Sequence, residues 1–327
     1  MTRSRPADVF FFASSRTLSN LLVRLLSKQT DWKEEGYYLH DAYEYVQLNL
    51  SSHETEFPTE SFKTYLEMMR VGHKELLVAR KNAHENGRAF FTKSHIVELV
   101  NPSLFFDGLQ SDASPSTVSV ELETLLSPAS RTNPTLLSDE TLLSFVPLFL
   151  IRHPALVVDS WYRAKGHPPA AMLRDSLLVS YLVGVQLTRA LFDWYTAAAA
   201  SSSASATAAC TNMLLGRRSY PIVVDADDLL EGDTVQRLAR TIGMDPAQIL
   251  QQWETQSTDI MDPRVRPFVK DLWASTGIDK TKSAKGLDLD AKFKSWSDLY
   301  GVEVGKTLAD LTNDQMEGYL WLKSRKF

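Results

Sequence analysis

Short apolar runs that each end in polar residues most constrain how this chain can fold. Each run is long enough for one buried β-strand, and apolar residues at helical spacing follow it. The runs that predict strands are residues 10–13, 88–95, 145–152 and 220–230. Because strands alternate with helices, we predict an α/β fold of three layers, in which a mainly parallel central sheet carries helices on both faces. Ligands bind such sheets beyond the carboxyl ends of the strands, where these polar residues lie.

The segments between the strands predict helices. Ser19 or Asn20 is expected to cap the first helix, and Pro154 is expected to open the helix after the third strand. The tail is expected to be mostly helical. The remaining predicted helices are 59–86, 170–199, 233–242 and 246–254.

The length of 327 residues suits one large α/β domain with insertions or two smaller domains. No internal repeat is seen, so we predict a single domain over residues 1–327. Two compositionally biased segments are expected to be loop inserts within it. They are residues 109–140, rich in Ser, Thr, Pro and Asn, and the Ala/Ser-rich residues 197–218.

Charge and cysteine content limit the partners. The formal net charge of −5 disfavours nucleic acid and other polyanions, so any nucleotide site must be a local basic pocket. The single cysteine, Cys210, excludes an internal disulfide framework and favours a reducing compartment. No stretch approaches the ~18 apolar residues of a membrane span. We therefore expect a cytoplasmic protein without a membrane partner; a homodimer is left open.

The turn after the first strand has the composition of an anion site. Its hydroxyls, its one cation and the N–H groups at the start of the next helix are suited to cradle a phosphate. The turn lacks the GK[ST] sequence of an NTPase loop, so a magnesium triphosphate fits poorly. A purely structural turn is the alternative. The turn residues are Ser15, Arg16, Thr17, Leu18, Ser19 and Asn20.

Lys93 and His95 lie two residues apart at the end of the second predicted strand. On an extended backbone they face the same side, so a cation and an imidazole converge there. Imidazole is suited to take a proton from a hydroxyl near neutral pH. The alternative is a surface lysine beside an incidental histidine.

Arg152 ends the third predicted strand, and Ser160 lies eight residues later in the following helix. Arginine at a strand end is suited to bind a phosphate through two hydrogen bonds, and the serine is expected to reach the same anion. The alternative is that Arg152 pairs with an acid such as Asp159 while the serine packs against the sheet.

Taken in order, these motifs resemble the sulfotransferase family that uses 3′-phosphoadenosine 5′-phosphosulfate (PAPS). Residues 16–20 stand where the family has its basic, hydroxyl-rich loop. Lys93-Ser94-His95 closely matches the family's Lys-Thr-His strand end. Arg152, Pro154 and Ser160 match the family's spacing of arginine, proline and serine.

Two later segments extend the resemblance over nearly the whole chain. Residues 223–230 look like the family's strand that ends in Tyr-Glu-Asp-Leu, and residues 275–301 resemble its C-terminal cofactor segment. The resemblance implies a P-loop-like sulfotransferase fold.

The resemblance also implies roles. His95 would remove the acceptor's proton, and Arg16 and Lys93 would stabilise the transferring sulfonate. PAPS would be the cofactor and PAP its product, without a metal. The loop would hold the 5′-phosphate. Arg152 and Ser160 would hold the 3′-phosphate, and a tail motif would close over that phosphate. The implied cofactor-binding residues are Ser15, Arg16, Thr17, Leu18, Ser19, Asn20, Arg152, Ser160, Lys282, Lys285 and Gly286.

The chain departs from the family at four positions. Leu18 replaces the loop glycine, so the loop must avoid φ > 0 there or accept strain. Arg16 replaces a lysine, and Asn20 replaces a residue that carries a hydroxyl group. Ala226 stands where the family often stacks a tyrosine on adenine, and Trp32 is a candidate to supply that stacking instead.

Several functions remain open at this point. The leading hypothesis is sulfuryl transfer to a hydroxyl or amine of a small molecule. The alternatives are another group transfer or an elimination, a non-catalytic PAP-binding protein, and an NTP-dependent kinase. His40 is given no role.

Overall fold

The computed structural model describes residues 5–49, 59–100, 133–174, 184–201, 220–259, 261 and 263–327. The strands are β1 Val9–Ala13, β2 Trp32–Gly36, β3 Ala89–His95, β4 Val146–Ile151 and β5 Ile222–Asp225. The α-helices are α1 Ser19–Leu26, α2 His40–Asn49, α3 Thr59–Glu85, α4 Asp139–Leu143, α5 Pro154–Ala164, α6 Ala170–Leu173, α7 Gly184–Ser201, α8 Ala226–Leu230, α9 Thr234–Ile242, α10 Arg266–Trp273, α11 Leu289–Tyr300 and α12 Val302–Lys323.

The strands form one five-stranded sheet in the order β2-β3-β1-β4-β5. β1 and β2 each pair in parallel with β3. Every residue of β1 and β4 is buried, as expected for strands that are covered on both faces. The predicted fold class, a three-layer α/β fold around a parallel sheet, is confirmed.

The sequence pattern did not predict β2. Its residues, Trp-Lys-Glu-Glu-Gly, are mostly polar and lack the apolar signal of a buried strand. β2 lies at the edge of the sheet and is held by its pairing with β3. Edge strands commonly carry charged residues, and their pairing depends on tertiary contacts that the local sequence does not encode.

The last predicted strand, 220–230, is too long. β5 ends at Asp225 because the carboxylate of that residue accepts a hydrogen bond from the Asp227 N–H and caps α8. The remaining residues of the segment are helical.

Three helix predictions also need correction. Ser19 is the first residue of α1, and Leu18 rather than Ser19 or Asn20 is the N-cap. The single helix predicted over 170–199 is wrong, because α6 ends at Leu173. There the Arg174 N–H bonds to the carbonyl three residues back, which closes the turn.

The helix predicted over 246–254 is reduced to one 3₁₀ turn, Pro246–Gln248. Beyond it, the backbone N–H groups bond to other segments instead of to the preceding turn. The Leu250 N–H donates to Leu25 O at 2.8 Å, and the Trp253 N–H donates to Thr276 O at 3.1 Å. The other predicted helices are confirmed, including the one opened by Pro154 and the helical tail.

The predicted insert boundaries are only partly right. Residues 133–140 belong to an ordered turn and to the start of α4, which Ser138 caps by accepting a hydrogen bond from the Thr141 N–H. Residues 197–201 continue α7. The rest of both inserts, 109–132 and 202–218, lies outside the described residues.

By its internal contacts, the chain divides into two compact units. Unit 1 comprises Met1–Ala13, Asp31–Phe149 and Gln186–Ile222. Its core is aromatic: the Phe12 ring stacks on Phe10 at 4.4 Å and on Phe149 at 5.1 Å between ring centroids.

Unit 2 comprises Ser14–Thr30, Leu150–Val185 and Val223–Phe327. Its core joins α5 to the C-terminal helices through the buried Trp161, Trp296 and Leu308. The single domain predicted over residues 1–327 stays a prediction. No helix among the described residues combines the length and apolar character needed to cross a membrane.

Candidate active site

The turn from β1 into α1 belongs to unit 2 and leaves a helix N-terminus without a capping side chain. Leu18, the N-cap residue, makes no side-chain cap hydrogen bond, and the first turn of α1 contains no acid. Both Arg16 and Leu18 have φ of 65°, in the left-handed region. Thr17 is buried and donates its hydroxyl to Ser14 O at 2.8 Å. The first N–H groups of a helix have no partner within the helix, so this turn is suited to bind an anion.

Arg16 and Ser160, two predicted anion ligands, are in direct contact. Arg16 Nε donates to Ser160 Oγ at 2.9 Å, and Nη1 donates to the main-chain oxygen of Phe268 at 2.6 Å. The guanidinium also lies 5.5 Å from the centroid of the Phe268 ring. Burial lowers the pKa of Arg16, an effect that Asp271 partly offsets.

Arg152 is a buried cation, with 5% of its surface exposed. Its Nη1 donates to Arg16 O at 2.8 Å and its Nη2 to Lys282 O at 2.9 Å. Its Nε finds no hydrogen-bond partner among the described residues. Burial and the nearby charge of Arg16 lower the Arg152 pKa to about 10, so the group remains cationic at neutral pH.

Arg152 forms no ion pair with Asp159, although the charges of Asp159 and Asp227 act on it. The Asp159 carboxylate accepts from Lys292 at 3.0 Å and from Trp296 Nε1 at 3.1 Å. These contacts tie α11 to α5, the helix that carries Ser160. The guanidinium of Arg152 donates to two carbonyls and lies near the charge of Arg16, which the charges of Asp227 and Asp159 offset only in part. A bound anion would compensate the remaining charge.

The predicted tail motif approaches this group mainly through its main chain. The carbonyl of Lys282 accepts from Arg152, while the Lys282 ammonium lies 3.8 Å from Asp271. Lys285 forms an exposed ion pair with Glu231, and Gly286 adopts φ of 73°. Cofactor contacts of these three residues stay predictions.

Lys93 and His95, the other predicted pair, lie at the end of β3 in unit 1. In the parallel register, Lys93 is opposite Phe11 and His95 is opposite Ala13. Lys93 is 2% exposed, and its ammonium lies 4.7 Å from the centroid of the Tyr37 ring. Burial lowers the Lys93 pKa to about 7, although Glu98 and Glu34 raise it. Lys93 is therefore not a surface lysine.

The tautomer of His95 follows from its contacts. Its Nδ1 lies 3.3 Å from the carbonyl oxygen of Ala13, which can only accept, so Nδ1 carries the proton. Nε2 then carries the lone pair and lies 3.5 Å from the Tyr37 hydroxyl. Burial lowers the His95 pKa to about 4, so the ring is neutral near pH 7. This arrangement can accept a proton at Nε2.

A buried carboxylate, Glu98, supports this strand end. It accepts from Ser94 Oγ at 2.6 Å, from the His95 backbone N–H at 2.9 Å and from His40 Nδ1 at 2.8 Å. Three donors compensate its burial, and the charge of Glu98 acts on both Lys93 and His95.

Comparison with known proteins gives two curated relatives that match nearly the full chain. Sulfotransferase ppzF of Metarhizium rileyi (strain RCEF 4871) is 28% identical over 338 residues, covering 98% of this chain and 96% of the relative. Sulfotransferase ppzF of Metarhizium majus (strain ARSEF 297) is 29% identical over 344 residues, covering 98% and 97%. Both relatives are sulfotransferases, and this chain is similar to them over nearly its whole length. No protein-family model matches it.

Two solved structures are similar only loosely. One is the sulfotransferase domain from the Synechococcus PCC 7002 olefin synthase, with 16% identity over 96% of each chain and a TM-score of 0.39. The other is the sulfotransferase domain from the curacin biosynthetic pathway, with 13% identity over 90% of this chain and 98% of that chain, also with a TM-score of 0.39. A likeness at this TM-score supports no inference.

Glu98, His40 and Tyr37 were not predicted from the sequence as part of this site. One signal was available: Glu98 is a lone acid in the apolar run Ile-Val-Glu-Leu-Val. Such an acid must find donors if the run is buried. His40 gave no comparable signal, because it lies 58 residues from its partner.

Trp32 does not supply adenine stacking, so that suggestion is wrong. The indole is 5% exposed because Trp32 begins β2 and packs into the core of unit 1. Within the described ranges, no three His, Cys, Asp or Glu side chains are grouped so that they could hold a metal ion.

Leu18 accepts the left-handed conformation that a glycine would adopt without strain. We expect Leu18→Gly to change the free energy of unfolding of the protein by less than about 1 kcal/mol, because relief of strain and added unfolded-state entropy nearly cancel. Leu18→Val should destabilise it by about 1–2 kcal/mol, because a β-branched residue tolerates φ > 0 poorly. Urea denaturation measures both. A larger loss for glycine than for valine would contradict this account.

Proposed function

We propose that this protein is a sulfotransferase that moves the sulfuryl group of PAPS to a hydroxyl or amine of a small-molecule acceptor. The observation that carries the proposal is the buried Arg152. Its described hydrogen bonds go to two main-chain carbonyls. Its Nε has no hydrogen-bond partner among the described residues, and it lies in a cluster that also contains Arg16 and Ser160. Such a site favours a ligand with a compact, multiply charged anion.

A 3′-phosphate fits the donors of this cluster. Arg152 Nε and Ser160 Oγ would hold the 3′-phosphate, which distinguishes PAPS from ATP. The N–H groups at the start of α1, with Thr17 and Ser19, would hold the 5′-phosphate. PAPS supplies the activated sulfuryl group. Arg16 would stabilise the charge that develops on the leaving phosphate oxygens.

His95 is the proposed general base. Because Ala13 O fixes the proton on Nδ1, the lone pair of Nε2 is available to the acceptor's hydroxyl proton. The acceptor oxygen forms the new O–S bond as the bond from sulfur to the phosphate oxygen breaks. The acceptor's proton goes to Nε2, so sulfate ester, PAP and one proton account for all atoms.

Lys93 is proposed to stabilise the sulfonate while it carries its proton. Its pKa of about 7 lets the ammonium lose or regain a proton in the neutral range. The presence of both Lys93 and His95 at the same strand end favours a chemical role over simple phosphate binding and disfavours the non-catalytic alternative. The missing GK[ST] sequence disfavours the kinase alternative.

The proposal predicts balanced products and a defined pH range. Incubated with PAPS and a panel of simple phenols, alcohols and amines, the protein should form PAP and a sulfated acceptor in equal amounts. The rate should rise as His95 loses its proton near pH 4 and fall as Lys93 loses its proton near pH 7. Mass spectrometry across the pH range measures both products. Absence of every sulfated product, with PAPS left intact, would contradict the proposal.

A further inference from the structure

Glu98 is the most deeply buried charged group near the proposed base, with 1% of its surface exposed. It ends a 3₁₀ turn, Ile96–Glu98, that follows β3 directly. A carboxylate in such a place is retained only when donors saturate it. The three donors come from the strand end itself and from α2.

The two carboxylate oxygens have different partners. Oε2 accepts both from Ser94 Oγ and from the His95 backbone N–H, so it fixes the chain on either side of one peptide bond. Oε1 accepts from His40 Nδ1 at 2.8 Å. The hydrogen bonds of the Glu98 carboxylate go to Ser94, to the His95 backbone and to His40, while the His95 ring nitrogens face Ala13 and Tyr37. The carboxylate therefore orients the backbone of His95 and supplies charge, while Ala13 selects the tautomer.

We infer that Glu98 and His40 are a positioning pair for sulfuryl transfer: Glu98 anchors Ser94 and His95 and holds a negative charge near Lys93, and His40 holds Glu98 in place. The inference rests on the proposed function and assigns neither residue a contact with the reacting atoms.

Charges on β2, β3, α2 and the 3₁₀ turn act within this cluster. Lys93 on β3 faces the negative charges of Glu98 and of Glu34 on β2. His40 on α2 faces Glu98 and its neighbours Asp41 and Glu44. His95 faces Glu98, Lys93 and His40, with the Tyr37 ring beside it.

Burial alone would raise the pKa of Glu98, but the hydrogen bond from His40 and the charges of His95 and His40 lower it overall. The hydrogen bond to Glu98 raises the pKa of His40 against the opposing effect of burial. Glu98 is thus anionic throughout the pH range in which Lys93 titrates, and its charge favours the Lys93 ammonium.

Glu98→Gln keeps the shape and removes the charge. The glutamine oxygen can still accept from Ser94 and from His95, so the fold should survive. Without the anion, Lys93 should lose its proton at a lower pH, and the alkaline limb of the kcat profile should move down by about one unit or more. At pH 7 we expect kcat to fall about tenfold with little change in KM for PAPS, because the anion-binding residues are untouched. A purely structural role would lower stability without moving the limb.

His40 supplies a matched pair of variants that does not depend on the folding of Glu98→Gln. Asparagine can place an amide N–H where Nδ1–H donates, whereas leucine cannot. We expect His40→Asn to keep kcat within about threefold of wild type and His40→Leu to lose about tenfold or more, since Glu98 then lacks one of its three donors. Equal kcat in both variants, each folded by circular dichroism, would overturn the role of His40.

A readout without turnover separates this inference from the proposed function. The ring nitrogens of His95 and the reactivity of Lys93 toward an amine-modifying reagent can be followed against pH in the unliganded protein. A lower pKa of Lys93 in Glu98→Gln than in wild type supports the positioning pair. This holds even if no sulfated product forms, because that result would contradict only the proposed function. If the pKa of Lys93 and the pH profile of kcat were both unchanged in Glu98→Gln, the positioning role would be overturned while the proposed sulfuryl transfer would still hold.

Discussion

Replacing His95 with alanine is expected to lower kcat by about 10²–10⁴-fold while PAP affinity stays at the wild-type value. The lone pair on Nε2 is the proton acceptor in the proposed reaction, and alanine removes it. The residues proposed to bind PAP lie elsewhere in the sequence, so a loss confined to kcat is the result that identifies a base. Steady-state turnover and calorimetric titration with PAP measure the two quantities.

Two further variants sharpen the test. His95→Asn retains an N–H that can donate to Ala13 O but offers no basic nitrogen, so it should be nearly as inactive as alanine. His73→Asn is the matched control, because His73 lies on α3 and contacts Thr141 instead of the β3 end. A turnover of His95→Asn within tenfold of wild type would show that another group accepts the proton.

Arg152→Lys is expected to weaken PAP binding by about 30-fold or more, which corresponds to at least about 2 kcal/mol. The charge is kept, but a lysine cannot replace the guanidinium bonds to Arg16 O and Lys282 O and still offer a donor at Nε. The loss should depend on the 3′-phosphate. The variant should therefore bind PAP and AMP with similar affinities, whereas wild type prefers PAP.

Arg237→Ala serves as the control for this change. Arg237 is an arginine of the same unit, but it pairs with Asp233 at 3.2 Å on α9. Its loss should leave PAP affinity unchanged. If Arg152→Lys kept the full preference for PAP over AMP, the 3′-phosphate would have to bind at other residues.

The strand ends were predictable because buried parallel strands leave a simple signature of short apolar runs with polar residues after them. Lys93, His95 and Arg152 each follow such a run, and their spacing located them without a structure. Ser160 could be placed for the same reason, since Pro154 marks where its helix begins.

The rest of the site depends on contacts across the sequence. Tyr37 directly follows the edge strand β2, and His40 begins α2; both contact the β3 end. The polar sequence of this region gives no local signal for either element. The backbone of Leu18 shows a similar limit. A leucine where the family has glycine implied either a loop that avoids φ > 0 or a strained backbone. The φ of 65° at Leu18 shows that the backbone is left-handed there, which the sequence could not decide.

The central claim, that the buried arginine cluster binds a 3′-phosphorylated nucleotide, is tested most directly by calorimetric titration of the wild-type protein. PAP and ATP are compared in a buffer that contains a chelator and no magnesium. The account predicts micromolar binding of PAP and much weaker binding of ATP, because the 3′-phosphate is the group that Arg152 and Ser160 are proposed to hold. Absence of PAP binding, or equal affinity for ATP, would contradict it.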